Sequence, residues 1–125
     1  MLPVTAETVE QRHKCPIRNV LANLNGKWRP LVVLSLEDGP MRFNELKRTI
    51  GDISQRVLTE NLRSFERDGY LLRTVRATSP VRVDYELTEL GRSLLEVLKP
   101  TVFWAAEAYP KVREARDAYD RAQDT

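Results

Sequence analysis

The 125-residue sequence is poor in the residues that build disulfides, metal sites and catalytic centres. It has one cysteine, Cys15, so it has no internal disulfide, and one histidine, His13, so a zinc site would need carboxylates or a second chain. It has no glycine-rich phosphate loop and no nucleophile arranged with a base and an orienting partner. We therefore expect neither an enzyme nor a protein that needs a metal or another cofactor.

Long apolar runs are also missing. No stretch approaches the roughly 20 apolar residues of a membrane span, and residues 1–14 lack the apolar centre of a secretion signal. With 42% hydrophobic and 30% charged residues, the composition is typical of a globular domain. The sequence predicts a cytoplasmic protein without membrane contact, in which residues 1–14 form a flexible segment.

The charge is unevenly distributed, although the net charge is only +2. Residues 41–82 carry nine Lys/Arg and five Asp/Glu, whereas residues 83–125 carry six and nine. A basic middle between less basic ends is typical of a surface that faces phosphates. Taken alone, this mild asymmetry favours nucleic-acid binding only weakly.

The apolar spacing predicts helices before residue 69 and a hairpin after it. Asn44 and Ser54 are expected as N-caps of two consecutive helices, and Met41 to Phe43 as a short edge strand. An earlier helix has as buried candidates Trp28, Leu31, Val32, Leu34 and Leu36. In the second strand of the hairpin, the residues expected to face inward are Val81, Val83, Tyr85 and Leu87. They alternate with Arg82, Asp84 and Glu86, which are expected to face solvent. A short helix, a turn, a longer helix and a hairpin form a winged helix-turn-helix, mainly α with a small β wing (α+β).

A final helical region follows the N-cap Thr88. Its later part carries small and apolar residues at spacings of three and four that are typical of a seam for a partner helix: Ala105, Ala108, Val112, Ala115, Tyr119 and Ala122. Pro100 and Pro110 interrupt this pattern, so a bent helix and three short helices both remain open. We expect a winged-helix domain over residues 15–104 and a dimerisation extension over residues 105–125.

The predicted helix from Ser54 to Asp68 has one apolar and one basic side. Leu58, Leu62 and Phe65 recur at helical spacing and are expected to pack on the domain. The opposite side carries Arg56, Glu60, Arg63 and Arg67, with Gln55 and Thr59 on a flank. Arginine recognises guanine edges, glutamine recognises adenine, and threonine contacts phosphates or thymine methyl groups. The alternative is a solvated face with ion pairs between its arginines and Glu60.

The hairpin and the preceding helix add further basic residues. Arg76 and Arg82 lie near the predicted tip of the wing, where they could reach the DNA backbone or a minor groove. The alternative for the wing is a hairpin that uses charge to prevent edge aggregation, and for Arg73 the two interpretations are equal. The complete set of predicted DNA-binding residues is Arg42, Lys47, Arg48, Ser54, Gln55, Arg56, Thr59, Arg63, Arg76 and Arg82.

Several motifs in order carry a resemblance to a known family. They are CPIRNVLANLNGKWRPLVVLSL, GPMRFNELKRTIGDISQRVLTENLRSFERDGYLLR, a proline-bearing loop, DYELTELGRSLLEVL and Trp104. Over about residues 15–104 the chain resembles the HxlR-type family of small bacterial and archaeal winged helix-turn-helix regulators. The resemblance implies a homodimer joined through N- and C-terminal helices, a pseudo-palindromic operator in double-stranded DNA, and regulation of transcription, expected to be repression.

The resemblance also suggests a signal. Cys15 matches a cysteine that senses oxidants or electrophiles in some family members, and the basic residues beside it favour a reactive thiolate. The alternative is that Cys15 is a small apolar residue buried under the first helix and has no role as a sensor. A small-molecule inducer is a second route, with a pocket formed by Trp28, Phe103, Trp104 and Tyr109, although ordinary packing of these aromatics is favoured. A protein–protein adaptor of winged-helix fold remains the rival class, but it predicts a neutral helix face and wing.

Overall fold

The computed structural model describes residues 17–21, 24 and 26–124. After a π-helical turn, Ile17–Leu21, the elements are α1 Arg29–Ser35, β1 Met41–Arg42, α2 Phe43–Ile50, α3 Gln55–Arg67, β2 Leu71–Arg76, β3 Arg82–Leu87 and α4 Glu89–Gln123. This order confirms the predicted mainly α fold with a small β wing. The predicted flexible segment and Cys15 lie outside the described residues.

The sheet is three-stranded and antiparallel, with the order β1-β3-β2. β2 and β3 pair along their whole length and form the wing. β1 contributes two residues on the other side of β3, where Arg42 lies opposite Asp84. β1 is therefore an edge strand, as predicted, although Phe43 belongs to α2 and not to the strand. β3 is the central strand.

The core lies beneath α3. Leu58, Leu62 and Phe65, which the sequence placed on the inner side of this helix, are at most 2% exposed. They belong to one cluster with residues from the other helices and the preceding loop, including Val32, Val33, Leu36, Leu46, Ile53 and Leu95. Phe65 also packs edge-on against Tyr70, with ring centroids 5.8 Å apart. Burial of this side orients the opposite side of α3 outward.

The inner side of the α1 region agrees with the prediction at Val32 and Leu36 but not at Leu31. Val32, Val33 and Leu36 are fully buried, whereas Leu31 is 41% exposed, so the prediction for Leu31 was wrong and Val33 was missed. Trp28 and Leu34 are partly buried against the core. The run LVVL is apolar on every side, so its spacing does not select a face. Contacts of α1 with α2 and α4 make the selection.

Two of the three predicted N-caps are confirmed. The Ser54 hydroxyl accepts a hydrogen bond from the Val57 amide at 3.1 Å, and the Thr88 hydroxyl accepts one from the Gly91 amide at 3.1 Å. Asn44 is not a cap, because α2 already begins at Phe43. The strand β1 passes directly into α2, which leaves no room for the predicted junction residue.

The inward pattern of β3 is partly wrong. Asp84, predicted to face solvent, is 4% exposed, whereas Val81, predicted to face inward, is 66% exposed and precedes the strand. Leu87 is buried as predicted, and Val83 and Tyr85 are half-buried. Asp84 tolerates burial because two arginines bind its carboxylate, as described below.

α4 is a single helix of 35 residues that continues through Pro100 and Pro110. Of the alternatives that the sequence left open, three separate short helices are therefore excluded. Only its first turns enter the core, through Gly91 and Leu95, and nearly all residues after 100 are exposed. Within the described residues, none of the helices combines the length and apolar character needed to cross a membrane.

Candidate nucleic-acid interface

The outer side of α3 presents polar side chains that the core does not use. Gln55, Arg56 and Arg63 are exposed, and Thr59 is half-buried beside them. The Thr59 hydroxyl donates to the carbonyl oxygen of Gln55 at 2.8 Å, which leaves its lone pairs open to a donor. Ser54, at the start of the helix, is exposed and uses a lone pair as N-cap, so its hydroxyl hydrogen can still reach a phosphate oxygen.

One ion pair lies on this face. The Arg56 Nε atom is 3.1 Å from the Glu60 Oε1 atom, and their side chains are 88% and 60% exposed. This is one of the pairs that the solvated-face interpretation predicted. An exposed pair at this spacing is worth about 0.3–0.5 kcal/mol, so a phosphate or a guanine edge can replace Glu60 at little cost. The pair alone therefore does not decide between a solvated face and a DNA-binding one.

Basic residues on α2 and β1 line two neighbouring hollows. The larger, of about 690 Å³, lies between the start of α2 and the loop at the wing tip, and Arg42, Arg48 and Arg82 line it. The smaller, of about 230 Å³, is lined by Asn44, Lys47, Arg48 and Gly51. Arg48 lies in both. The structure thus brings together basic residues from separate elements on a surface where phosphate oxygens would find several donors.

The wing contains a buried carboxylate held by two arginines. The Nε atom of Arg76 donates to Oδ2 of Asp84 at 2.6 Å, and the Nε atom of Arg82 donates to Oδ1 at 2.9 Å. The Nη2 atom of Arg82 also donates to Oδ2 at 3.1 Å. The side chain of Asp84 is 5% exposed, against 51% for Arg76 and 41% for Arg82.

These hydrogen bonds favour the ionised forms of Asp84 and Arg82. Those from Arg82 and then Arg76 lower the pKa of Asp84 to about 2, against its usual value of 3.8. The bond to Asp84 in turn raises the pKa of Arg82 above its ordinary value. Asp84 is therefore ionised at neutral pH, and together with the two guanidinium groups it gives the cluster a net charge of +1.

A further hollow connects α3 with the wing. It has a volume of about 330 Å³ and is lined by Thr59, Leu62, Arg63, Glu66, Arg73 and Tyr85. Arg63 from α3 and Arg73 from β2 lie on its walls. The basic side of α3 and the wing are consequently parts of one surface.

Comparison with known proteins identifies the family. Residues 23–113 match the model of the HxlR-like helix-turn-helix family. The chain belongs to the HxlR-like helix-turn-helix family. It is 35% identical to the HTH-type transcriptional regulator YtfH of Escherichia coli, with 83% of this chain and 82% of YtfH covered. This HxlR-like chain is a transcriptional regulator of the helix-turn-helix type.

Solved structures agree with this assignment. The transcriptional regulator ytfH from Salmonella typhimurium is 32% identical, has a TM-score of 0.75, and is matched over 84% of this chain and 94% of its own. The redox regulator HypR in its reduced form is 34% identical with a TM-score of 0.73, over 79% of this chain and 98% of its own. The winged-helix fold of the HxlR-like chain is thus shared with regulators of known structure.

Sequence reasoning about the HxlR-like chain missed Asp84. A signal appears only once the register of the hairpin is known, because that register places Arg76 directly opposite Arg82. Two like charges that face each other across strands are destabilising without a counterion. The nearest acidic residue on the same strand, two positions along, is Asp84, but its burial depends on the hairpin register, which the sequence pattern left undetermined.

The aromatic residues considered for a ligand pocket in the HxlR-like chain lie mostly in the open. Phe103, Trp104 and Tyr109 are 70%, 66% and 54% exposed, and Trp28 is half-buried beneath the ammonium group of Lys27. A hollow of about 280 Å³ at Tyr109 is lined otherwise by Pro110, Arg113, Glu114, Asp117 and Arg121. Its walls include none of the other three aromatics.

Proposed function

We propose that this HxlR-like regulator is a homodimeric repressor that inserts α3 into the major groove at each half-site of a pseudo-palindromic operator. One observation carries the proposal. The exposed basic side of α3 lies beside Arg73 of the wing, across a shared hollow, and faces away from the core that its apolar side forms. A major groove about 12 Å wide admits one such helix.

The residues on this surface divide into two roles. Gln55, Arg56 and Arg63 are assigned to base edges, because their side chains are long, exposed and carried by α3. Shorter or peripheral donors are assigned to the phosphate backbone, where they set the register: Arg42, Lys47, Arg48, Ser54, Arg76 and Arg82. The methyl group of Thr59 is assigned to a thymine methyl group, because its hydroxyl hydrogen is already donated to Gln55. Repression follows when the bound dimer covers a promoter.

An exposed seam on α4 supports dimerisation. Val97, Trp104, Val112 and Tyr119 are between 38% and 67% exposed. They are separated by seven or eight residues, so they fall on one side of the helix together with Ala108. A second copy that pairs along this seam would cover it and would place two recognition helices about 34 Å apart, one turn of DNA. In this proposal, residues 15–104 bind DNA and residues 105–125 extend the dimer contact.

The test is selection of bound fragments from a random duplex library, followed by fluorescence anisotropy on the selected duplex. We expect a two-fold symmetric site and an affinity that falls steeply with salt, because each neutralised phosphate releases counterions. The double variant Arg56→Ala/Arg63→Ala should lose the preference for this site, while Arg113→Ala on α4 should keep it. Failure of the wild-type dimer to bind any duplex at low salt would leave the adaptor interpretation.

Thiol sensing through Cys15 is part of the proposal, although Cys15 lies outside the described residues. The similarity to HypR, which is a redox regulator, supports it. Treatment with diamide should release wild-type protein from its operator but leave Cys15→Ser bound. An equal response of both proteins would exclude Cys15 as the sensor. The remaining route would then be a small-molecule inducer.

A further inference from the structure

The two arginines that hold Asp84 are bound in different ways. Arg82 engages both carboxylate oxygens, through Nε and Nη2. Arg76 uses only Nε, and among the described residues its two terminal nitrogens have no partner. Arg76 is also the more exposed of the two, at 51% against 41%. The carboxylate therefore fixes Arg82 by two bonds and Arg76 by one.

The cluster of Arg76, Arg82 and Asp84 lies near the tip of the wing. Arg76 and Arg82 end the two paired strands, next to the loop 77–81, and Arg82 also lines the hollow beside α2. Without a counterion, the two guanidinium groups would repel each other and separate. A carboxylate that binds both holds them on one side of the hairpin, and it does so from a buried position.

We propose that Asp84 is a positioning residue for DNA binding, which presents the two terminal nitrogens of Arg76 to a backbone phosphate and holds Arg82 as a brace. The inference rests on the proposed function and refines it, because Arg82, assigned above to the phosphate backbone, becomes the brace and Arg76 becomes the phosphate contact. A phosphate accepts two parallel hydrogen bonds from a guanidinium group whose orientation is already set. Because Asp84 sets this orientation before the DNA arrives, less conformational freedom of Arg76 is lost on binding.

Removal of the Asp84 charge gives results of opposite sign in the two interpretations. If the carboxylate only repels phosphates, Asp84→Asn makes the wing more positive and tightens DNA binding. If it positions Arg76, the same change frees the arginine and weakens binding. Glu86 provides the matched control, because it lies on the same strand and Glu86→Gln removes the same charge without a bond to either arginine.

The experiment measures the affinity of the full chain for a selected duplex at several salt concentrations. We expect Asp84→Asn to bind about tenfold more weakly and to lose about 0.9 from the slope of log K against log salt, the share of one phosphate contact. Glu86→Gln should bind as tightly as the wild type or more tightly. Equal changes in both variants, or tighter binding by Asp84→Asn, would overturn the proposal.

A second pair of variants tests the division of roles and does not depend on the folding of Asp84→Asn. Arg76→Gln should weaken DNA binding and reduce the salt slope. The affinity of Arg82→Gln for DNA should still depend on Arg76. The double variant Arg76→Gln/Arg82→Gln should therefore bind more weakly than Arg82→Gln alone. Loss of the phosphate contact only in Arg82→Gln would contradict the assignment. If the wild type binds no duplex at all, the proposed function itself fails, which is a distinguishable result.

Discussion

At the residue scale, the arginines of the candidate interface differ in what holds them. Arg56 pairs with Glu60 across an exposed helix face, where the side chains are 88% and 60% exposed. Arg76 and Arg82 instead share Asp84, whose side chain is 5% exposed. An exposed pair contributes little to stability. A buried charge needs its partners, because it is costly when left unpaired. Arg56 is therefore free to exchange partners, and Asp84 is not.

Arg56→Ala is expected to reduce operator affinity by about 1–3 kcal/mol and to relax the preference at one base position, because a bidentate contact to guanine is lost. The free energy of unfolding should change by less than about 0.5 kcal/mol. Anisotropy titrations on single-base variants of the operator measure the first effect, and urea denaturation measures the second. A loss that is uniform across all sequences would show that Arg56 contacts only phosphate.

Acid should destabilise the fold through Asp84. The pKa of Asp84 is about 2 in the folded chain, below the usual 3.8. Between these two values Asp84 stays ionised in the folded chain but binds a proton in the unfolded chain. The stabilisation is fully present above pH 3.8 and is lost as the pH falls towards about 2. The excess stability of the wild type over Asp84→Asn should therefore shrink across this range in urea denaturation. An excess that does not vary with pH would contradict the lowered pKa.

At the scale of elements, the junction between the wing and α4 organises the domain. The Thr88 hydroxyl donates to the carbonyl oxygen of Gly69 at 2.6 Å while it accepts from the amide of Gly91. It thus joins the turn after α3 to the first turn of α4. Gly91 lies so close to the Tyr70 carbonyl oxygen that a Cβ atom at this position would overlap with backbone. The close approach of helix and turn requires glycine here.

Gly91→Ala should destabilise the fold by about 1–3 kcal/mol, because the overlap forces α4 away from the turn. This loss exceeds the roughly 1 kcal/mol that alanine gains over glycine in a helix. Ser93→Ala, at an exposed site two residues further along α4, serves as the control and should change the stability by less than about 0.5 kcal/mol. Urea denaturation of both variants provides the comparison. Gly91→Ala with wild-type stability would show that the contact yields without cost.

The length of α4 was beyond sequence reasoning. Pro100 and Pro110 each remove a helical hydrogen bond, and the pattern alone left a bent helix and three short helices open. The structure has one helix across both positions. The free-energy cost of a proline inside a helix must be compared with the stabilisation that the whole assembly gives to that helix. Most of α4 lies beyond the core of its own chain, so the local pattern does not contain that stabilisation.

At the scale of the whole molecule, the exposed half of α4 is what we expect a second copy to cover. Ala108 lies in the proposed seam, whereas Ala106, two residues away, is about 200° round the helix. A charged side chain should therefore be tolerated at Ala106 and should disrupt pairing at Ala108. The two positions form a matched pair for testing the dimer.

Ala108→Glu should shift the protein towards a monomer and weaken operator binding, because the two half-sites are then no longer bound together. Ala106→Glu should remain dimeric and bind as the wild type does. Light scattering coupled to gel filtration reports the mass of each, and anisotropy reports the affinity. A dimer mass for both variants would show that the dimer contact lies elsewhere on the chain, and a monomer mass for the wild type would contradict the dimer itself.

The sequence by itself determined the elements whose local chemistry has one solution. Ser54 and Thr88 were predicted as N-caps because each hydroxyl residue stands directly before a run of apolar residues at helical spacing. Both accept the capping hydrogen bond in the structure. Leu58, Leu62 and Phe65 define the inner side of α3 because only one face of that helix is apolar. The inner side of α3 fixes its outer, basic side, and Thr88 marks where the hairpin after α3 ends. Both features could therefore be predicted.

Only the tertiary structure decided the features that depend on which surfaces meet. Leu31 and Val33 are equally apolar, and packing against α2 and α4 buries Val33 alone. The alternation of β3 predicts that Asp84 faces outward, but the register of the hairpin places two arginines around its carboxylate. Burial and pairing are properties of residues distant along the chain, so a local pattern cannot specify them.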